Sequence, residues 1–388
     1  MLEIDLCNCT SENNKNRNTC FQKYVDTLYM PPKLSLTLPV SDPDKDKIDN
    51  FISTLPPVIP RFEARQIPRA SNIRFPKSTF GTGYISEDGQ HAVKIMNLKN
   101  RISQTFVNYT VDNIIESLKS ELINYYEITQ ICPESFCKLV GYHYDIVNTT
   151  LIIVMENCGT DLVYMYDNIL SNIRLNNATN HIGQIINIML CLHENRFVHF
   201  DLKPDNIVLH GNTIKLIDAG SLVNTTSIED IYVRGTQFFM APELQGKTKI
   251  ANSVGLLSTD IYSLGILFLF MIIPSGRFRE QLFKNMNNSN FSDNIGDSEN
   301  RIIIKNWLKR VFGETIEFKH FFGEPDERLK IQDLKSMYEQ KQTLDQTKPS
   351  GGRNTRKTHK RRLYKRKRQR KSKSKSKSKS KSKSKSNK

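Results

Sequence analysis

The sequence predicts an α+β protein of two lobes: a small antiparallel, β-rich unit with one main helix, followed by a larger, mostly helical unit. Three observations predict it. Short strand-like runs crowd residues 72–156, a single stretch with helical spacing interrupts them at 110–131, and after Gly159 apolar residues recur mostly at helical intervals. The first lobe is drawn at 71–155 and the second at 159–340. A cleft between two such lobes is a natural ligand site.

In chain order, residues 1–70 read as an extension. They are rich in Asn and Thr, then in Pro (Pro31, Pro32, Pro56, Pro57, Pro60, Pro68), and Pro at that density blocks ladders and helices. Residues 73–75, 83–86 and 91–96 have strand character, and Asp88-Gly89 supplies a turn between the last two. Over 110–131, Ile114, Ile115, Leu118, Leu122, Tyr125 and Tyr126 recur at helical spacing. Strand-like runs return at 138–140 and 151–155. Beyond Gly159, Ile182, Ile185, Ile186, Met189 and Leu192 form a helical stripe, and two short strands, 206–209 and 213–217, lie between helices. Residues 284–300, rich in Asn, Ser and Asp, predict a solvated loop. The longest apolar run, 264–273, is about half the length a spanning helix needs, so it reads as a buried helix and no membrane insertion is expected.

The net charge of +16 belongs to the end of the chain. Residues 349–388 hold twenty of the 56 Lys and Arg and no Asp or Glu, which leaves 36 basic against 40 acidic residues elsewhere. The basic block from Arg353 to Lys371 and the eight Lys-Ser repeats can bury no core, so 341–388 is expected to be a disordered tail. Such a tail offers nucleic acid or another acidic partner a salt-sensitive contact, has the composition of a nuclear import signal, or simply solubilises the chain. Phosphorylation of its serines would cancel its charge. The cysteines (Cys7, Cys9, Cys20, Cys132, Cys137, Cys158, Cys191) are odd in number and irregularly spaced, which argues for plain thiols in a reducing compartment. The first residues lack the basic-then-apolar pattern of a signal peptide. A soluble, intracellular protein of cytoplasm or nucleus is expected.

The segment His199-Phe200-Asp201-Leu202-Lys203-Pro204-Asp205-Asn206 carries the chemistry. It resembles the catalytic loop, His-Arg-Asp-Leu-Lys-x-x-Asn, of the eukaryotic-type serine/threonine protein kinase family. The resemblance spans about 72–340 and implies the bilobal protein-kinase-like fold. It also implies transfer of the γ-phosphoryl group of ATP, with Mg2+, to a Ser or Thr hydroxyl of a protein substrate. That reaction asks a protein for positioning and charge neutralisation more than for covalent help. The resemblance makes Asp201 the base at the substrate hydroxyl, places Lys203 near the γ-phosphate, and gives Asn206 a Mg2+. Residues 216–220, Leu-Ile-Asp-Ala-Gly, resemble the Asp-Phe-Gly metal motif, with Asp218 as main Mg2+ ligand. Residues 235–243, Gly-Thr-Gln-Phe-Phe-Met-Ala-Pro-Glu, resemble the end of an activation segment, where Thr236 would bond Asp201 and Lys203. Asp260 would tether the catalytic-loop backbone, and Arg328 would pair with Glu243.

On the nucleotide side, Ala92-Val93-Lys94 resembles the family's Val-Ala-Ile-Lys, which assigns Lys94 to the α- and β-phosphates. Its carboxylate partner is Glu116, Glu121 or Glu127; counting back from 136–142, which resembles Ile-Val-x-Leu-x-Gly-Tyr, favours Glu121. The glycine-rich loop is degraded. With Gly81 as its third glycine, Phe80 becomes the tip aromatic and Ser78 and Pro76 replace the first two glycines; Ser78, Phe80, Gly81 and Gly83 are the expected contacts here. Met155 would guard the back of the adenine pocket, and backbone groups of Glu156 and Cys158 would bond the adenine edge.

Two departures stand out. Phe200 replaces the Arg that docks an activation-loop phosphate, so activity independent of phosphorylation at Thr225, Thr226, Ser227 and Tyr232 is expected. Ala219 replaces the motif's Phe, and Tyr125, four residues beyond Glu121, is the candidate to refill that space. A pseudokinase scaffold that binds nucleotide without turnover is the main alternative. A small-molecule phosphotransferase of related fold is disfavoured by Thr236 and the Met-Ala-Pro-Glu segment. The Asn-rich loops and Gly-Gly-basic tail look like proteins of large cytoplasmic DNA viruses, which would shift the compartment to a virion or viral factory.

Overall fold

The computed structural model describes residues 42–78, 81–98, 111–169, 171–226, 230–233, 235–251, 254–273 and 298–347. Expectations resting on Phe80, Ser227, Cys7, Cys9, Cys20 and the basic stretch beyond 347 fall outside these residues, as does most of the expected 284–300 loop; its last three residues begin a helix.

The first lobe is built on strands β1 (Ala70–Ser78), β2 (Gly81–Ser86), β3 (His91–Asn97), β4 (Leu139–Asp145) and β5 (Thr150–Glu156). They form one antiparallel sheet in the order β1-β2-β3-β5-β4. Alternation along β3 sends Val93 to pack with Tyr84 and Val154, and sends Met96 to the main core on the opposite face. Lys94, two residues before Met96, shares that second face. Against it lies a helical run in three pieces: an α-helix Val111–Lys119, a π-helical segment Ser120–Asn124, and an α-helix Tyr125–Ile131. Ile114, Leu118, Leu122, Tyr125 and Ile128 are its buried stripe.

The second lobe is helical, as expected. Its longest helix, Ser171–Glu194, buries the stripe Ile182, Ile185, Ile186, Met189 and Leu192. The apolar run becomes helix Leu257–Ile272, buried at every position from Thr259 to Ile272. No helix among the described residues is long and apolar enough to cross a membrane. Among these helices, β7 (Phe197–Val198) pairs with β10 (Val223–Asn224), and β8 (Ile207–His210) pairs with both β6 (Thr160–Asp161) and β9 (Thr213–Leu216). These short ladders hold the loops that carry residues 199–206 and 217–222.

Three expectations need correction. Residues 42–69 are not a mere extension: helix Asp42–Ser53 buries Ile48 and Ile52, and Leu55 and Ile59 follow them into the main core. Pro43 sits in the first turn of that helix, where the missing N–H costs no helical hydrogen bond, and Pro56, Pro57, Pro60 and Pro68 come after its end. The tail boundary at 341 falls inside helix Ile331–Thr347, where nothing breaks the helix before Pro349. Four of the cysteines are paired rather than free: Cys132 with Cys191 and Cys137 with Cys158, at Cα–Cα distances of 6.2 and 6.0 Å. Partners 59 and 21 residues apart carry no spacing signal, so only the fold brings them together.

Candidate active site

The catalytic-loop segment is held from below by one buried carboxylate. Asp260, on helix Leu257–Ile272, accepts hydrogen bonds from the backbone N–H of His199 (2.8 Å) and of Phe200 (3.0 Å), and lies 3.1 Å from His193 Nε2. Phe200 adopts φ +60°, a left-handed conformation that a non-glycine residue takes only when its surroundings impose it. Asp260 supplies that constraint.

Above this support, Asp201 is held from three sides. The Thr236 N–H donates to its Oδ1 (2.7 Å), while Lys203 Nζ (2.8 Å) and Asn206 Nδ2 (3.1 Å) donate to Oδ2. Lys203 Nζ also donates to Thr236 Oγ1 at 2.7 Å. The four predicted residues Asp201, Lys203, Asn206 and Thr236 therefore form one network. Burial works against the Lys203 charge, yet the Asp201 carboxylate raises its pKa above the ordinary lysine range, so it remains an ammonium.

The nucleotide side converges on Lys94. Its Nζ lies 2.5 Å from Glu121 Oε1 and 3.4 Å from Asp218 Oδ1. Of the three candidate carboxylates, Glu121 is the one that reaches Lys94 and is buried, while Glu127 is exposed. Burial alone would push the Asp218 carboxyl up, but the Lys94 ammonium and the Gly220 N–H (3.0 Å) outweigh it and hold the group at about 2. A Cβ at position 220 would sit 2.7 Å from Glu121 Oε1, so a side chain there requires the carboxylate to move.

Tyr125, the candidate to stand in for the motif's Phe, lies in the same buried cluster as Ala219. Tyr125 is buried, stands edge-to-face against Phe136, and donates from its hydroxyl to the Cys137 carbonyl at 2.7 Å. Burial and the carboxylates of Asp218 and Glu121 push its phenol well above the usual range, so it stays a donor. Beside it, Asn124 Nδ2 donates to the Leu222 carbonyl at 3.0 Å and ties the π-helical segment to the loop after Asp218. Asn124 and His193 are contacts that sequence reasoning missed. A polar residue on a helix ordinarily signals a solvated face, and a π turn has no sequence signature to redirect it.

The remaining predicted contacts are placed as follows. Ser78 and Gly81 are paired at the end of the β1–β2 hairpin, and Gly83 pairs with Lys94 across β2 and β3. Met155 pairs with Ala92 and packs against the core. The Glu156 carboxylate is engaged by Lys215 (3.5 Å) and the Lys138 N–H (3.2 Å). Cys158 turns its sulfur inward to Cys137. Glu243 and Arg328 form a two-pronged pair at 2.5 and 2.9 Å.

One carboxylate and one amide oxygen suit Mg2+, which takes few protein ligands and completes its shell with water and phosphate oxygens. Asn206 commits its amide N–H to the Asp201 carbonyl (2.8 Å) and carboxylate, leaving its oxygen as the acceptor. Among the described residues no cluster of three or more His, Cys, Asp or Glu could hold a metal ion.

Comparison with known proteins agrees with this geometry. The profile described as Protein kinase domain matches residues 84–347. The chain belongs to the protein kinase family. This kinase domain is 26% identical to the Aurora kinase of Eremothecium gossypii over 196 residues, 48% of this chain and 51% of that relative. It is 28% identical over 192 residues to the MAP kinase kinase skh1/pek1 of Schizosaccharomyces pombe, 44% of this chain and 48% of the relative. A chain of Acanthamoeba polyphaga mimivirus named for serine/threonine-protein kinase activity is 39% identical over 93 residues, 23% of this chain and 32% of the relative. The chain thus spans about half or less of the length of these relatives.

Proposed function

We propose that the protein is an ATP- and Mg2+-dependent serine/threonine kinase acting on protein substrates. The observation that carries this reading is the Asp201–Lys203–Thr236 network, with Asn206 tied to the same carboxylate. Held this way, Asp201 presents a fixed carboxylate to an incoming hydroxyl, orients it and accepts its proton. Lys203 offers positive charge where negative charge gathers on the transferred group. Lys94, kept in place by Glu121, would bind the α- and β-phosphates. Asp218, ionised at any physiological pH, and Asn206 would hold Mg2+, which neutralises phosphate charge when bound. The backbone of Glu156 and Cys158 would take the adenine edge, with Met155 behind it.

Ala219 is the observation that favours the second reading, nucleotide binding without turnover. Tyr125 weighs against it, because its ring is buried in the same apolar cluster as Ala219 and it anchors the helical run carrying Glu121 to Phe136 and the Cys137 carbonyl. The deciding experiment is phosphotransfer from labelled ATP to a basic protein substrate with Mg2+, beside Asp201→Asn. Label on Ser or Thr that falls at least about a hundredfold in the variant supports the kinase. Nucleotide affinity with no label above the variant's background means the scaffold reading.

A further inference from the structure

We propose that residues 42–62 are a built-in brace that holds Glu121 in its ion pair with Lys94, making them a positioning element for phosphoryl transfer. The proposal rests on the kinase reading. It concerns a segment that precedes the matched family region, which begins at residue 84.

The segment is attached at both ends of a short span. At one end, helix Asp42–Ser53 packs against helix Val111–Lys119, and Lys47 lies 3.9 Å from Asp112. Ile48 and Ile52 are buried in the cluster that contains Ile114, Leu118 and Leu122. Leu122 is the residue after Glu121. At the other end the chain docks on the free edge of the sheet, β4. The Phe62 N–H donates to the Tyr142 carbonyl (2.7 Å), the Tyr142 N–H donates to the Pro60 carbonyl (2.9 Å), and the His143 ring bonds the Phe62 carbonyl (2.8 Å). Between the two, the Tyr144 hydroxyl donates to Asp49 at 2.5 Å. The brace therefore ties the helical run carrying Glu121 to the sheet carrying Lys94.

Such a tie matters because the Lys94–Glu121 pair joins two separate elements, and its geometry depends on how the helical run sits on the sheet. The run contains a π-helical turn at Ser120–Asn124, where its hydrogen bonding is least regular. Burying Ile48 and Ile52 on its first half fixes the approach of that turn. Gly141 leaves room for the docked chain: a Cβ there would sit 2.6 Å from the Pro60 carbonyl oxygen and 3.1 Å from the Phe62 ring.

The test uses the full chain with two independent lesions. Ile48→Asp/Ile52→Asp removes the packing on the helix; Gly141→Ala pushes the docked chain off the sheet edge without touching the helix. Each is measured alone and with Glu121→Gln, by steady-state phosphotransfer and by hydrogen exchange of residues 111–131. The expectation is a fall in kcat of about tenfold with the protein-substrate KM nearly unchanged, faster exchange over 111–131, and less than about twofold further loss when Glu121 is already Gln. Unchanged exchange over 111–131 in both lesions overturns the brace, as does a loss that multiplies fully with Glu121→Gln. If the isoleucine variant does not fold, Gly141→Ala decides. If the unaltered protein transfers no phosphate, the kinase reading fails, and hydrogen exchange still decides whether the brace orders the helix.

Discussion

The two sides of the site are held in different ways. On the catalytic-loop side, Asp201, Lys203 and Asn206 come from six consecutive residues and are anchored by one buried carboxylate, Asp260, with Thr236 closing the network. On the nucleotide side, Lys94, Glu121 and Asp218 come from a strand, a π-helical turn and a loop, and meet only because three elements pack. The first arrangement is nearly local and rigid; the second depends on the relative placement of elements. Damage to the first should therefore register in stability, and damage to the second in catalysis with little change in stability.

The largest expected effect breaks the local side. Asp260→Ala leaves two buried backbone N–H groups and His193 without their acceptor, and is expected to cost about 3–5 kcal/mol in urea unfolding as well as abolishing phosphotransfer. A loss below about 1 kcal/mol would mean that the loop keeps its shape by other means.

The disulfides sharpen the comparison next. Cys132–Cys191 closes 59 residues and links the end of the Glu121 helical run to helix Ser171–Glu194. Cys132→Ser/Cys191→Ser is expected to remove about 2–4 kcal/mol, read as a fall in Tm that a reductant reproduces in the unaltered protein. A Tm insensitive to reductant would show that the pairing contributes nothing in solution.

A smaller effect isolates the nucleotide side. Gly220→Ala places a Cβ against Glu121 Oε1 and should displace the carboxylate from Lys94. About a tenfold fall in kcat/KM for ATP is expected, with unfolding free energy within about 1 kcal/mol of the parent. If stability falls further than activity, the contrast between the two sides does not hold.

The smallest effect concerns the activation segment. Phe200 is buried and offers no charge to a phosphate, and the segment is paired through β7 with β10 and through Asp230–Tyr232 with Lys249–Ala251. Replacing Thr225, Thr226 and Ser227 by Ala and Tyr232 by Phe should change phosphotransfer less than about threefold. A collapse would show that phosphorylation there has another docking site.

The legibility of the chain follows the same division. Residues 199–206, 216–220 and 235–243 could be read because their chemistry demands particular side chains at short spacing. The choice of Glu121 over Glu116 and Glu127 needed a count across an insertion, and the partners of Asn124 and His193 left no trace in the sequence. The pairing of Cys137 with Cys158 and the docking of residues 42–62 ran against the readings that their spacing and proline content favoured.

By itself, the amino-acid order determined which side chains are available for phosphoryl transfer and the order of strands and helices that carries them, because periodicity and short motifs are local properties. Only the tertiary structure decided which carboxylate meets Lys94, which sulfurs meet, and that a segment before the family's own region braces the first lobe. Those outcomes depend on packing between residues tens of positions apart, where the apolar contacts that select one partner carry no pattern along the chain.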